Sequence, residues 1–212
     1  MILFFDIVSP LPEFSLIEDN KIIYSKNLFT NSNEKMSDCI LPAYIELNKK
    51  FSLDKRLKFL ITNTGPGSFT ALRIGIAFLS GLSLATNITL IGVSCTDLFR
   101  YAIKKEQLSS SAIYISSSNN QKFICMYDLK KDEYKITKIE KQNNTLELNK
   151  LFFKTIFTNS ALPLNQINFI KDVEYKKINF NELINHNIKK IISLPKKDII
   201  EPIYISNNKI LN

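Results

Sequence analysis

The segment best suited to chemistry is a glycine-rich turn, Gly65-Pro66-Gly67, which Ser68 and Thr70 follow. An apolar run typical of a buried strand, Leu57 to Thr62, precedes the turn, and a helical pattern comes after it. The free amides at the N-terminus of such a helix can hold an anion such as a phosphate. The same residues would equally make a capped joint between a strand and a helix. The sequence leaves both interpretations open.

Two better-known phosphate-binding motifs do not fit this segment. The turn lacks the Lys-Ser or Lys-Thr pair that ends a P-loop. Thr70 also occupies the position where a dinucleotide-binding fingerprint needs its third glycine. If the turn binds phosphate in an enzyme, a carboxylate must position a metal ion and water, and Asp6 at the end of the first apolar run is available for that role.

The inventory of metal ligands excludes several classes of enzyme. The chain has one histidine, His186, and no HExxH or HxxxH pattern, so we expect no protein-bound metal and no metallopeptidase activity. A Ser-His-Asp triad would have to use His186, which lies in a helix-like stretch without a nucleophile motif. The three cysteines form no CxxC pair and their number is odd, which favours a reducing, cytoplasmic environment.

The composition is that of a globular protein with a basic second half. Apolar residues make up 45% of the chain and charged residues 23%, and we expect no membrane span. The first hundred residues carry 10 basic and 9 acidic side chains, whereas the remaining residues carry 18 basic and 11 acidic side chains. This excess could bind RNA phosphates. Solvated lysine-rich faces are the alternative, because the lysines lie among apolar residues without interleaved aromatic side chains.

The pattern of apolar residues predicts two units. Residues 1–103 have the order β-β-β-α-β-α-β-α, which indicates a mixed sheet with helices on its faces. Beyond them we predict strands over 112–115, 123–127, 134–139 and 203–205, and a helix over 182–192 with Asn181 as its N-cap. The predicted domains are an N-terminal lobe of residues 1–103 and a smaller C-terminal α+β lobe of residues 104–212, whose last segment returns to the first lobe. No internal repeat is visible.

Two predicted helices of the first lobe have unusual patterns. The earlier one, over about 34–51, has a stripe spaced at three and four residues: Met36, Ile40, Tyr44, Leu47 and Phe51. The later one, over about 69–85, is apolar on nearly all sides, which indicates that it is covered on more than one side. Glycine inside a helix costs about 1 kcal/mol relative to alanine, so Gly75 and Gly81 indicate a close neighbour. That neighbour is either inside the lobe or on another chain.

The chain resembles a known family at the glycine-rich turn. Residues 65–75, GPGSFTALRIG, are similar to the signature GPGSFTGLRIG of the TsaB (YeaZ) family of bacterial tRNA-modification proteins. Weaker matches follow in the family's order along most of the chain: Leu3–Asp6, Ile40–Pro42, Ile91–Ser94 and Glu201–Ile205.

The resemblance implies an α/β, actin-like ASKHA (RNase H-like) fold of two lobes, each with a mixed β-sheet flanked by helices. It implies a non-catalytic subunit of the complex that forms N6-threonylcarbamoyladenosine next to the anticodon of tRNAs reading ANN codons. The implied partners are a catalytic TsaD-like subunit, a TsaE-like ATPase and tRNA through the complex. The sequence leaves open whether the chain alone forms a homodimer. Relatives also carry the older labels glycoprotease and peptidase M22.

The resemblance also favours a partner surface on the two first-lobe helices, through which the family pairs. The residues that we predict for this surface share helical spacing and apolar or small side chains, with one arginine: Met36, Ile40, Tyr44, Leu47, Arg73, Ala77, Gly81 and Ala85. The alternative is that both stripes are buried inside the lobe.

Some polar groups of the family pattern are missing. The family's opening Asp-Thr-Ala is here Asp6-Ile7-Val8, and the Asp-Ala-Arg of its second lobe falls at about Ser116–Ser118. We therefore expect no cofactor, and at most weak binding of ATP or ADP at the partner interface. The residues predicted for that contact are Asp6, Gly65, Gly67, Ser68 and Thr70. The alternative function is a nucleotide-binding phosphotransferase or hydrolase of the ASKHA type, for which the second-lobe carboxylate is absent.

Overall fold

The first lobe is built on one mixed five-stranded sheet. The computed structural model describes residues 1–29, 34–139, 153–160, 173–196 and 199–205. The strands of the first sheet are β1 (Ile2–Asp6), β2 (Glu13–Glu18), β3 (Lys21–Asn27), β4 (Phe59–Asn63) and β5 (Thr89–Val93). They lie in the order β3-β2-β1-β4-β5, with β4 parallel to β1 and β5 parallel to β4. The hairpin strands β2 and β3 are antiparallel to their neighbours.

Four helices belong to this lobe: α1 (Met36–Phe51), α2 (Leu53–Arg56), α3 (Phe69–Thr86) and α4 (Cys95–Arg100). Ser94 caps α4, because the amide of Asp97 donates to the Ser94 hydroxyl at 3.0 Å. The aromatic ring of Phe78 on α3 lies 5.7 Å from Tyr44 on α1 and 6.4 Å from Phe14 on β2. These contacts pack α1 and α3 together against the sheet.

The second sheet repeats the strand order of the first. Its strands are β6 (Ser111–Ser116), β7 (Lys122–Asp128), β8 (Glu133–Lys138), β9 (Thr155–Thr158) and β10 (Glu174–Lys177). Their order is β10-β9-β6-β7-β8, again with an antiparallel hairpin on one side of the first strand and parallel strands on the other. A short 3₁₀ helix, Lys105–Ser110, links the two sheets.

The architecture therefore contains a repeat that the sequence analysis did not find. The equivalent strands β4 and β9 run into similar segments, Ile61-Thr62-Asn63-Thr64 and Phe157-Thr158-Asn159-Ser160. Four residues are too few to stand out in a chain of 212. Only the strand order makes the match meaningful.

The end of the described chain packs against the first lobe. Helices α5 (Phe180–His186) and α6 (Ile188–Ile192) replace the single helix predicted over 182–192. The predicted N-cap, Asn181, is wrong: Asn179 occupies that position and forms a capping box with Glu182. Phe180 packs edge-on against Phe99 of α4 at 5.6 Å. Residues 203–205 are not a strand, although the amide of Ile203 donates to the Thr64 carbonyl at 2.7 Å.

Helix α3 has one buried and one exposed side. Its buried residues face the sheet: Ala71, Leu72, Gly75, Ile76 and Leu79. A Cβ added at Gly75 would lie 2.4 Å from Cγ2 of Ile7, whereas one added at Gly81 would meet nothing within 4 Å. By length and by a mean hydropathy of 1.5, α3 alone among the described helices could span a membrane. Its sheet-packed side is instead that of a core helix.

The two glycines of α3 should respond in opposite ways to alanine. Gly75→Ala forces a methyl group into the fully buried Ile7 and should lower the free energy of unfolding by about 1–3 kcal/mol. Gly81→Ala adds a methyl group to open space and should raise the free energy of unfolding by about 0.5–1 kcal/mol. Urea denaturation of both variants measures the difference. Equal changes in the free energy of unfolding would contradict the conclusion that Gly75 lies on the buried side of α3 and Gly81 on the exposed side.

Candidate functional site

The contact region between the two lobes, which we call the seam, begins at Asp6, where β1 ends. The Asp6 side chain is 7% exposed, and its Oδ1 accepts hydrogen bonds from the amides of Val8 and Ser9 at 3.0 Å and from Nδ2 of Asn63 at 2.7 Å. Burial raises the pKa of the Asp6 carboxyl above its usual value, although the hydrogen bonds from Ser9 and Asn63 oppose that shift. This carboxylate therefore organises the turn after β1.

Two asparagines at equivalent strand ends make similar contacts. Asn63 is the last residue of β4, and its Oδ1 accepts from the amide of Ile7 at 3.0 Å. Asn159 follows β9, and its Oδ1 accepts from the amide of Ser116 at 2.9 Å. The Nδ2 of Asn159 also donates to the Ser9 hydroxyl across the seam at 3.1 Å. Each asparagine thus fixes the end of the central strand in its own sheet, and Asn159 also joins the two lobes.

The two glycines of the turn are packed against other parts of the chain. Gly65 has φ +111°, a conformation that favours glycine, and a Cβ there would lie 2.8 Å from the carbonyl oxygen of Ile203. A Cβ at Gly67 would lie 3.2 Å from Cγ2 of Val8 and 3.3 Å from the Ser117 hydroxyl. Contacts within the chain therefore account for both glycines.

The side chain of a second-lobe serine accepts a hydrogen bond from the start of α3. The amide of Ser68 donates to Oγ of Ser117 at 2.9 Å, and Nδ2 of Asn119 donates to Oγ of Ser68 at 3.2 Å. A third bond, from the amide of Ser118 to the carbonyl of Val8, closes the same seam at 3.3 Å. Free amides at a helix N-terminus attract anions, and here a neutral hydroxyl takes one of them.

Four of the five residues predicted to contact nucleotide make contacts within the chain. Asp6, Ser68 and the two glycines are occupied by contacts within the chain, and only Thr70 is exposed. Of the two interpretations of the turn, the geometry favours the structural joint. Among the residues that the structure describes, no three His, Cys, Asp or Glu side chains form a metal-binding group.

The structure divides the predicted partner surface between core and solvent. The four α1 residues assigned to it are buried within the first lobe, and this corrects their assignment: Met36, Ile40, Tyr44 and Leu47. Their three- and four-residue spacing marks the face of α1 that packs on the sheet and α3. The four α3 residues are exposed: Arg73, Ala77, Gly81 and Ala85.

Exposed apolar side chains that the sequence analysis did not select lie on the same two helices. On α1 they are Leu41 and Ile45, which are 53% and 44% exposed and one turn apart. On α3, Leu84 is 86% exposed. We call these three residues, with Ala77 and Gly81, the α1–α3 face. The pattern could not identify Leu41 and Ile45, because apolar residues occupy two sides of α1.

Neighbouring serines of the seam provide a matched test of the contact at α3. Ser117→Ala leaves the buried amide of Ser68 without its acceptor and should lower the free energy of unfolding by about 1–3 kcal/mol. Ser118→Ala removes a buried hydroxyl that has no hydrogen-bond partner among the described residues, so this change should be neutral or stabilising. Thermal and urea unfolding compare the two variants. If Ser118→Ala is the more damaging change, the contact is wrongly assigned.

Asp6→Asn should stabilise the protein at neutral pH. The raised pKa means that ionised Asp6 opposes folding above the pKa of the folded state, and that this cost disappears as the pH falls below the unfolded value. An asparagine keeps an acceptor for the two amides without the buried charge. Urea unfolding between pH 3 and pH 8 should show an advantage for Asp6→Asn that shrinks toward low pH. A loss of stability that persists across this range would contradict the argument.

Comparisons with known proteins agree with one another. A protein-family model described as "TsaD: tRNA N6-adenosine threonylcarbamoyltransferase" matches residues 30–152, more than half of the chain. The tRNA threonylcarbamoyladenosine biosynthesis protein TsaB of Buchnera aphidicola subsp. Schizaphis graminum is 27% identical over 192 residues, which cover 89% of this chain and 86% of that protein.

Solved structures agree in fold. YeaZ from Pseudomonas aeruginosa superposes with a TM-score of 0.60 at 15% identity, covering 96% of this chain and 99% of its own. A second structure, of a Pseudomonas aeruginosa protein with similarity to peptidase YeaZ, superposes with a TM-score of 0.60 at 15% identity. The match covers 97% of this chain and 99% of that protein. The actin-like ASKHA architecture predicted from the resemblance is confirmed by this match and by the two sheets of equal order. The chain therefore belongs to the TsaD family of tRNA N6-adenosine threonylcarbamoyltransferases, as a member of its TsaB (YeaZ) group.

Proposed function

We propose that the chain is a non-catalytic scaffold that pairs with a catalytic TsaD-like subunit, in the complex that forms N6-threonylcarbamoyladenosine next to the anticodon of tRNAs reading ANN codons. Membership of the family and the name of the Buchnera relative support the pathway. The pairing role is supported by the surface of this chain.

The observation that carries the proposal is the exposed α1–α3 face. Leu84 and Leu41 leave more than half of their side chains in water on adjoining helices, although an apolar side chain gains roughly 1.5–3 kcal/mol when it is buried. On the exposed side of α3, Ala77 and Gly81 have no bulk that would hold a neighbouring backbone away. A partner helix laid on this face would bury the leucines and approach α3 closely.

The seam supports a non-catalytic role. A phosphotransferase or hydrolase of this fold would need the start of α3 and the carboxylate after β1 to face a substrate. Here the Ser68 amide is bonded to Ser117, and Asp6 holds its own turn. For the same reason we propose that the isolated chain holds ATP or ADP weakly or not at all.

The remaining features of the proposal follow from membership in such a complex. The chain would act in the cytoplasm, together with a TsaE-like ATPase, and would meet tRNA through the assembled complex. Alone, it would cover the α1–α3 face by forming a homodimer. Its basic residues would then add only non-specific attraction for tRNA phosphates, which weakens as salt rises.

Gly81→Leu tests the proposed pairing. An isobutyl group at Gly81 extends into open space in the isolated chain, so the fold should tolerate it. In the complex it would separate the helices, at a cost of about 1–3 kcal/mol, which weakens binding roughly 5- to 150-fold. Calorimetric titration with the TsaD-like subunit measures the affinity. Mass spectrometry of threonylcarbamoyladenosine made by the reconstituted complex measures the function.

Gly81→Ala is the matched control, since one methyl group adds little volume and should leave binding within a few-fold of wild type. Thermal unfolding must show that both variants are folded. Undiminished binding of a folded Gly81→Leu chain would remove the α1–α3 face from the proposal. Failure of the wild-type chain to bind the TsaD-like subunit would remove the pairing itself.

A further inference from the structure

An arginine on α3 stacks on one of two aromatic rings that contact each other at the surface. The guanidinium carbon of Arg73 lies 3.7 Å from the ring centre of Phe69 and 5.7 Å from that of Tyr204. Nε of Arg73 donates to the Tyr204 hydroxyl at 3.2 Å, and the two rings lie 4.6 Å apart. Such stacking restrains the long side chain, so less conformational entropy is lost when it binds a ligand.

The charge of this arginine is not neutralised. A guanidinium has five N–H donors, and the bond to Tyr204 uses one of them. None of the ion pairs among the described residues involves Arg73. The first turn of α3 contains no acidic residue, and the positive end of the helix dipole lies close by. Four donors are therefore left for an anion.

The position of Arg73 on α3 determines what kind of anion fits. Ala77 lies one helical turn further along, on the same exposed side, and begins the small residues of the α1–α3 face. A protein that covers Ala77 and Gly81 must also displace water from the guanidinium of Arg73. An uncompensated buried charge is strongly unfavourable, so that protein must supply a negative group.

We infer that Arg73 binds a carboxylate of the protein that docks on the α1–α3 face, an aspartate or glutamate about one helical turn from the contact with Ala77. This inference rests on the proposed pairing with the TsaD-like subunit. A planar guanidinium fixed by stacking suits a bidentate contact with a carboxylate. An RNA phosphate would satisfy the charge but would not bury Leu84 and Leu41, so the protein carboxylate is the better match.

Substitutions of Arg73 separate charge from geometry. In calorimetric titrations with the TsaD-like subunit, Arg73→Gln should weaken binding about 10- to 100-fold. Arg73→Lys keeps the charge but loses the planar arrangement of N–H donors. Its affinity for the subunit should lie between those of wild type and Arg73→Gln. Arg100→Gln is the control, because Arg100 is also stacked on an aromatic ring, that of Tyr127 at 5.0 Å, and lies outside the α1–α3 face. It should bind like wild type.

A charge swap identifies the carboxylate. Arg73→Glu should abolish measurable binding, and one Asp→Arg or Glu→Arg change in the TsaD-like subunit should restore it. Wild-type affinity of a folded Arg73→Gln chain, or restoration by none of the acidic positions, would overturn the inference while leaving the pairing intact. Failure of wild type to bind would overturn the proposed function and this inference together. If Arg73→Gln weakens binding of tRNA but not of the subunit, the anion is a phosphate and the inference is wrong.

Discussion

The fold depends on one short junction, residues 63–68, where backbone groups from distant parts of the chain are paired. The amide of Thr64 donates to the carbonyl of Val93 at 2.9 Å, and its carbonyl accepts from Ile203 at 2.7 Å. The carbonyl of Gly65 accepts from the amide of Cys95 at 2.8 Å. Each buried amide or carbonyl must be paired, so the junction cannot be rebuilt at one residue without releasing another segment.

This junction gives the glycine-rich motif a structural role. Its glycines permit the close approach of Ile203 and Ser117, and the start of its helix is capped by the second lobe. The exposed side of α3 is left to make contacts with other molecules. In this chain the motif therefore positions the exposed side of α3.

The sequence was sufficient for the parts of the fold that depend on local pattern. The strands predicted over 112–115 and 123–127 lie within Ser111–Ser116 and Lys122–Asp128, because the pattern of a strand is encoded within a few residues. Contacts between distant segments were not predictable in this way. Nothing near Ser117 indicates that its hydroxyl meets Ser68, which lies 49 positions earlier.

The exposed sides of α1 and α3 were predicted only in part, for a related reason. On α3, the small residues at four-residue spacing are exposed, as a partner surface requires. On α1, a regular apolar stripe fits a core and an interface equally well, and Tyr44 and Leu47 proved to belong to the core. Periodicity shows that a side is apolar, whereas only the packed sheet shows which side remains uncovered.

The reciprocal contacts of the seam determine how the molecule responds to force. Ser9 of the first lobe bonds to Asn159 of the second, and Ser117 of the second bonds to Ser68 of the first. A rotation of the lobes about an axis through one of these bonds would stretch the other. A hinge motion that breaks neither bond is therefore confined to the one axis that joins them.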